Sequence, residues 1–158
     1  MQKRSLLSLC AILSLFIGLL AFSSCDKKDN NPDSSEHNKL IGKWGLHTGI
    51  SQSIKNGDIV SSDTFGISGD AYLQFITDST GRGAHYGILT EYSNNEVDFT
   101  YSVTNDNRLY LTADTMHSDL QILNLSDNSL TLLQIYQFEP DSSGSDRALH
   151  TIYIYSRQ

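Results

Sequence analysis

The sequence predicts an all-β domain, an eight-stranded antiparallel up-and-down barrel. Two observations carry that expectation. From Leu40 onward Val, Ile, Tyr, Phe, Thr and Leu come in short runs, with turn residues between them. Most connections are two to eight residues long, which suits antiparallel neighbours joined by hairpins. No stretch of this domain has helical periodicity. Eight such strands form either a sandwich or a closed barrel, and closure is favoured because it removes exposed edges.

The runs follow in order. Gly42 to Thr48 is the first. Ala71 to Thr77 is the second, with Leu73 and Phe75 on one face, and Asp78-Ser79-Thr80-Gly81 turns the chain into Gly83 to Leu89. Val97 to Val103 alternates Val97, Phe99, Tyr101 and Val103 with Asp98, Thr100 and Ser102, the pattern of a half-buried strand. Leu109 to Ala113, Leu120 to Leu125, Leu130 to Phe138 and Leu149 to Tyr155 complete the set, separated by turns at 105–107 and 126–128 and by the polar loop from Glu139 to Asp146. One connection is long. Gly49 to Asp70 is rich in Gly and Ser yet holds Ile54, Ile59, Val60, Phe65 and Ile67, so a lid over the barrel mouth or an added hairpin is expected there.

Ahead of the barrel the chain reads as an export signal. Lys3 and Arg4 start it, Leu6 to Phe22 is mostly apolar, and Ser23 and Ser24 are small. The apolar run is a little short for a membrane span, the alternative being an uncleaved anchor helix. Phe22-Ser23-Ser24-Cys25 resembles the bacterial lipobox. That resemblance implies a diacylglycerol thioether on Cys25, cleavage before it and acylation of the new amine. Two or more acyl chains make anchoring stable, so membrane lipid is the expected partner of Cys25. Cys10 leaves with the signal, and the remaining single cysteine has no internal disulfide partner. Asp26 to Asn38 is polar and reads as a flexible tether. The expected organisation is therefore a signal at 1–24, lipidated Cys25 and tether at 25–38, and barrel at 39–158. The location is the bacterial cell envelope, with the outer membrane favoured and the leaflet open.

Charge excludes some partners. Without Lys3 and Arg4, nine basic residues face eighteen acidic ones, a formal charge of −9. Nucleic acid and anionic surfaces need basic patches, so neither is expected.

Gly42 and Trp44, in Leu40-Ile41-Gly42-Lys43-Trp44, form a Gly-x-Trp motif opening the first strand. With the hairpin segments LQFITDSTGRG at 73–83 and ILNLSDNSLTLL at 122–133, residues 39–158 resemble the lipocalins and their bacterial lipocalin-like relatives. The resemblance implies that Trp44 plugs the closed end of the barrel and that Arg157, late in the last strand, packs over it.

Catalytic chemistry is not expected. The five histidines lack metal-ligand spacing, although His47, His85 and His150 could meet across strands. Gly66-Ile67-Ser68-Gly69 lacks the spacing of a nucleophile elbow, no phosphate-binding loop is present, and most acids lie in turns. An enzyme would need groups such as His85 with Asp98 or Glu91 converging at one mouth. No metal or cofactor is expected. The favoured function is binding a small, partly hydrophobic ligand in the barrel, with Leu46, Leu73, Phe75, Phe99, Tyr101 and Phe65 as candidate pocket residues. The rival is a barrel packed solid by Leu73, Phe75, Phe99, Leu109, Leu123 and Leu132, acting as an envelope interaction or structural module with a protein partner.

Overall fold

The structure is a computed structural model that describes residues 38–66, 70–91 and 95–158. The export signal, Cys25 and the tether up to residue 37 lie outside the described residues, as do Ile67 and Tyr92. Nine strands follow one another: β1 (Gly42–Lys55), β2 (Asp58–Phe65), β3 (Tyr72–Phe75), β4 (Thr80–Ala84), β5 (Val97–Val103), β6 (Arg108–Ala113), β7 (Met116–Leu125), β8 (Ser129–Phe138) and β9 (Arg147–Arg157). Eight of them, β1 and β3 to β9, pair in sequence order, and β9 pairs back onto β1. Every pairing is antiparallel. The fold is thus an all-β, closed, eight-stranded up-and-down barrel of lipocalin-like architecture. It closes on itself within residues 38–158, so this stretch carries a domain's worth of self-contained pairing and core.

The ninth strand decides between the two expectations for Gly49 to Asp70 in favour of the hairpin. β1 continues through that stretch to Lys55, and β2 folds back on it from Asp58 opposite Lys55 to Phe65 opposite Gly49. The turn is Asn56-Gly57, with φ of 52° and 87°. Two left-handed residues match the twist of a two-residue hairpin, and Asn-Gly is the pair that adopts them at least cost. The lower part of β1, Gly42 to Gly45, pairs instead with β3. β2 and β3 therefore share one flank of β1, and β2 leaves its other edge unpaired among the described strands. A lid made of loop is replaced by a hairpin that prolongs the barrel wall.

Alternation places the core. On β5, Phe99 and Tyr101 face inward and Asp98, Thr100 and Ser102 outward. Leu73, Phe75, Leu109, Leu111, Leu120, Leu130 and Leu132 join them from four other strands. Phe75 meets Tyr101 edge-on at 4.8 Å and Phe99 at 5.6 Å between ring centroids. Gly81 makes room for this aromatic cluster, because a Cβ there would lie 2.3 Å from the Phe99 ring and 2.5 Å from the Gln74 carbonyl. Leu123 is not part of the filling. β7 bulges between Ile122 and Asn124, which turns Leu123 outward, 48% exposed.

The floor of the barrel is built around one ring. A helical turn at residues 38–40 precedes β1, and Leu40 and Trp44 are both buried. The indole Nε1 donates to the Leu40 carbonyl at 2.7 Å. The Arg157 guanidinium lies 4.4 Å from the Trp44 ring and donates to the carbonyls of Ile41, Lys39 and Asp127. A planar cation that stacks on an aromatic face can still use its rim for several acceptors, which lysine cannot do.

Candidate functional site

The wall of the barrel ends early on one side. β4 stops at Ala84, and residues 85–90 leave the wall in a tight turn with Gly87 at φ 82°. Gly87 N donates to the Thr90 carbonyl and Leu89 N to that of His85, which closes the turn on itself. The expected third strand, Gly83 to Leu89, is corrected accordingly. Its second half is not wall. Ile88 and Leu89 are both buried.

This turn crosses the barrel. β4 neighbours only β3 and β5, yet the turn touches β7, β8 and β9 on the far side. Ser118 of β7 donates its hydroxyl to the Ile88 carbonyl at 2.7 Å. Gln134 and Tyr136 of β8 both reach the Gly87 carbonyl, at 3.4 and 3.5 Å. The His85 ring stands edge-on to Tyr153 at 5.0 Å and tilted against Tyr155 at 5.9 Å, both on β9. Contacts between staves on opposite sides run through the interior, so residues 85–90 lie in the upper barrel. Phe65 of β2 comes in from another direction. It lies against Gly49, where a Cβ would stand 2.1 Å from its ring. Gly49 also pairs with inward-facing Tyr153, so Phe65 shares the inner face at the mouth.

The upper barrel is polar where the lower barrel is not. His85, Ser118, Gln134 and Thr151 are the buried polar side chains, and Tyr153 and Tyr155 add two hydroxyls. Tyr153 donates to Gln134 Oε1 at 3.1 Å. Two atoms have no hydrogen-bond partner among the described residues, His85 Nε2 and the Tyr155 hydroxyl. A buried polar atom without a partner costs about 1–3 kcal/mol, so two of them on rings whose centroids lie 5.9 Å apart call for an explanation. His85 Nδ1 lies 2.7 Å from the Tyr86 carbonyl. A carbonyl only accepts, so Nδ1 holds the proton and Nε2 presents a lone pair. Burial pushes the His85 pKa down from its ordinary value to about 4, against the smaller opposing effect of backbone hydrogen bonds, and the ring is neutral at pH 7. Burial likewise drives the Tyr153 and Tyr155 hydroxyls well above the usual tyrosine range.

The residues expected to line a pocket divide between the two halves. Leu73, Phe75, Phe99 and Tyr101 pack on one another in the lower barrel, and Tyr101 donates its hydroxyl to the Thr77 carbonyl of the β3–β4 turn at 2.6 Å. Leu46 is half-buried at the edge of that core. Phe65 is at the mouth. Gly42, Trp44 and Arg157 meet at the floor, where the Arg157 Nη1 would lie 2.6 Å from a Cβ on Gly42. The histidines do not converge. His47 is the exposed extra residue of a bulge between Leu46 and Thr48, and His150 is half-buried in β9, paired with Gln52 and Ile135. Asp98 faces outward and pairs with Arg82 at 2.7 Å, remote from His85 in orientation. Among the described residues no group of three metal-binding side chains meets.

No protein-family model matches the chain, and no curated protein matches it. Among solved structures, apocrustacyanin C2 aligns at 11% identity over 80% of this chain and 64% of that one, with a TM-score of 0.43. This chain therefore spans just under two thirds of the crustacyanin chain. A deswapped triple mutant of bovine odorant binding protein aligns at 15% identity over 76% of this chain and 74% of that one, with a TM-score of 0.37. Both are distant likenesses, and the assignment of the barrel rests on its own closed ladder of strands.

Proposed function

We propose that the chain is an exported binding protein, held to the bacterial envelope through lipidated Cys25, whose barrel takes up a small and partly apolar molecule. The observation that carries the reading is the pair of unpartnered polar atoms, His85 Nε2 and the Tyr155 hydroxyl, buried inside the barrel. A barrel packed only for stability needs a buried water to pair them, because leaving them unpaired is costly. A binding site of mostly apolar lining with a few convergent polar groups uses them to orient what it holds. Phe65 and the turn at 85–90 stand at the entrance, and the turn is held across the barrel by a handful of hydrogen bonds to its carbonyls. Its withdrawal is the route by which a ligand enters.

Native mass spectrometry of residues 26–158, produced in bacteria and purified without detergent, tests the reading. The expected result is an added mass that is lost on denaturation. A clean protein mass contradicts it. The anchor has its own test, since Cys25→Ser is expected to leave the chain uncleaved or soluble, and retention of a lipid label by that variant contradicts the anchor.

A second reading has its own support. β2 exposes Ile59 and Val60 and offers an unpaired edge beside them. An exposed edge pairs readily with an added strand, so the barrel would serve as a docking module for an envelope protein. A clean mass in the first experiment, together with specific capture of a partner that β2 substitutions abolish, favours this reading.

A further inference from the structure

The same two atoms restrict what the barrel can hold. We infer that the polar end of the ligand is an uncharged hydroxyl, and that His85 Nε2 and the Tyr155 hydroxyl receive it together. The inference rests on the binding reading above and deepens it. Its argument is one of donors and acceptors. The proton on Nδ1 is committed to the Tyr86 carbonyl at 2.7 Å, so Nε2 only accepts. The Tyr155 hydroxyl donates one hydrogen bond and accepts others. A group that satisfies both must donate to Nε2 and accept from Tyr155. An alcohol or phenol does this with a single oxygen.

Charged ends, and ends that only accept or only donate, fail at one of the two atoms. A carboxylate accepts from Tyr155 but brings only lone pairs to Nε2. It also brings a charge into a region where the neighbouring side chains are Tyr153, Gln134, Ser118 and Thr151, none of them cationic. Among the described residues the basic side chains of the barrel lie elsewhere. Arg82 and Arg108 are on the outer wall with Asp98 and Asp119, and Arg157 is at the floor. An ionised group taken into that interior has nothing to offset its lost hydration. An ether or ester accepts from Tyr155 but leaves Nε2 unpaired. An ammonium donates to Nε2 but has no lone pair for the phenol and brings a charge of the other sign. The rejection is strong because a site built for a hydroxyl is left with unpaired buried groups by an analogue that lacks one.

The test uses matched probes that differ only at the polar end. Residues 26–158 are titrated by calorimetry at pH 7 with 1-octanol against octanoate, and with benzyl alcohol against benzoate. The alcohol of at least one pair is expected to bind, and at least about tenfold more tightly than its carboxylate. Tyr155→Phe keeps the ring and removes the hydroxyl. It is expected to cut alcohol affinity about tenfold and to shrink the preference, in a chain whose melting shows that it still folds. Carboxylates that bind as tightly as alcohols overturn the hydroxyl inference and leave the binding reading standing. An alcohol preference that Tyr155→Phe leaves intact overturns the placement. Failure of all four probes to bind overturns the inference, and an added natural mass in the native spectrum then shows that the binding reading survives without it.

Discussion

The two ends of the barrel solve opposite problems with the same eight strands. At the floor, Trp44 is fully buried and its Nε1 has the Leu40 carbonyl, while one arginine satisfies three backbone carbonyls and covers the ring. Polar atoms there are paired and apolar ones are packed. Toward the mouth the core turns polar, His85 Nε2 and the Tyr155 hydroxyl go unpaired, and β2 is exposed along its whole length. A barrel stabilised at one end can tolerate costly chemistry at the other. The difference locates stability in the floor and recognition in the upper interior.

That division can be broken at either end, and the floor should break harder. Trp44→Ala is expected to cost about 3–5 kcal/mol, since it removes a fully buried ring and strips Arg157 of its stacking partner. Denaturant melts equal to the parent's contradict this. The next effect is acid sensitivity from the other end. His85 has a folded pKa of about 4 against an ordinary 6.5, so between those values the unfolded chain binds the proton and the folded chain does not. Stability is therefore complete above about pH 6.5 and falls as the pH drops toward 4, by on the order of 3 kcal/mol. The exposed carboxylates with depressed pKa values, Asp98, Asp106 and Asp141, lose their contributions only as the pH falls below the ordinary carboxylate value, so the higher window belongs to His85. Melts of His85→Leu from pH 7 to 4 are expected to be flatter than the parent's, and an unchanged slope contradicts the assignment.

Arg157→Ala should come next, at about 2 kcal/mol, because three carbonyls lose a charged donor and the ring loses its cover. Arg157→Lys is expected to recover only a part, since one ammonium cannot stack and serve all three. Full recovery in thermal melts sinks the stacking geometry as its cause. The smallest effect belongs to β2. Ile59→Ser, at a site 59% exposed, is expected to stay within about 0.5 kcal/mol of the parent. A larger loss by the same melts means that β2 is covered in solution.

Much of the fold was legible where local rules and tertiary burial agree. Val97 to Val103 alternates strictly, and β5 has those bounds. Arg157 is far from Gly42 and Trp44 in the chain, and only the resemblance to a known barrel suggested that it meets them. The hairpin in the long connection was legible as one of two alternatives, the other being a lid. Asn56-Gly57 between Ile54 and Ile59 is a strong short-range turn signal, hidden by the Ser and Gly around it. β7 begins at Met116 because cross-strand pairing with β6 carries it through His117 and Asp119, which no propensity favours. The turn at 85–90 left a fainter trace. Alternation fails at His85-Tyr86-Gly87, and Ile88 and Leu89 stand side by side, which a half-buried strand does not allow. That His85 then meets Tyr153 and Tyr155 is a product of closure, which brings together staves that no local pattern connects.

The most direct test of the account observes His85 itself. Long-range nitrogen–proton NMR of the imidazole at pH 7, recorded while 1-octanol is added to residues 26–158, reports both its tautomer and its neighbour. The account predicts a neutral ring with the proton on Nδ1, a bare Nε2, and an Nε2 resonance that moves toward a hydrogen-bonded acceptor as the alcohol binds. A proton on Nε2, or an Nε2 resonance that stays fixed while the alcohol saturates the protein, contradicts it.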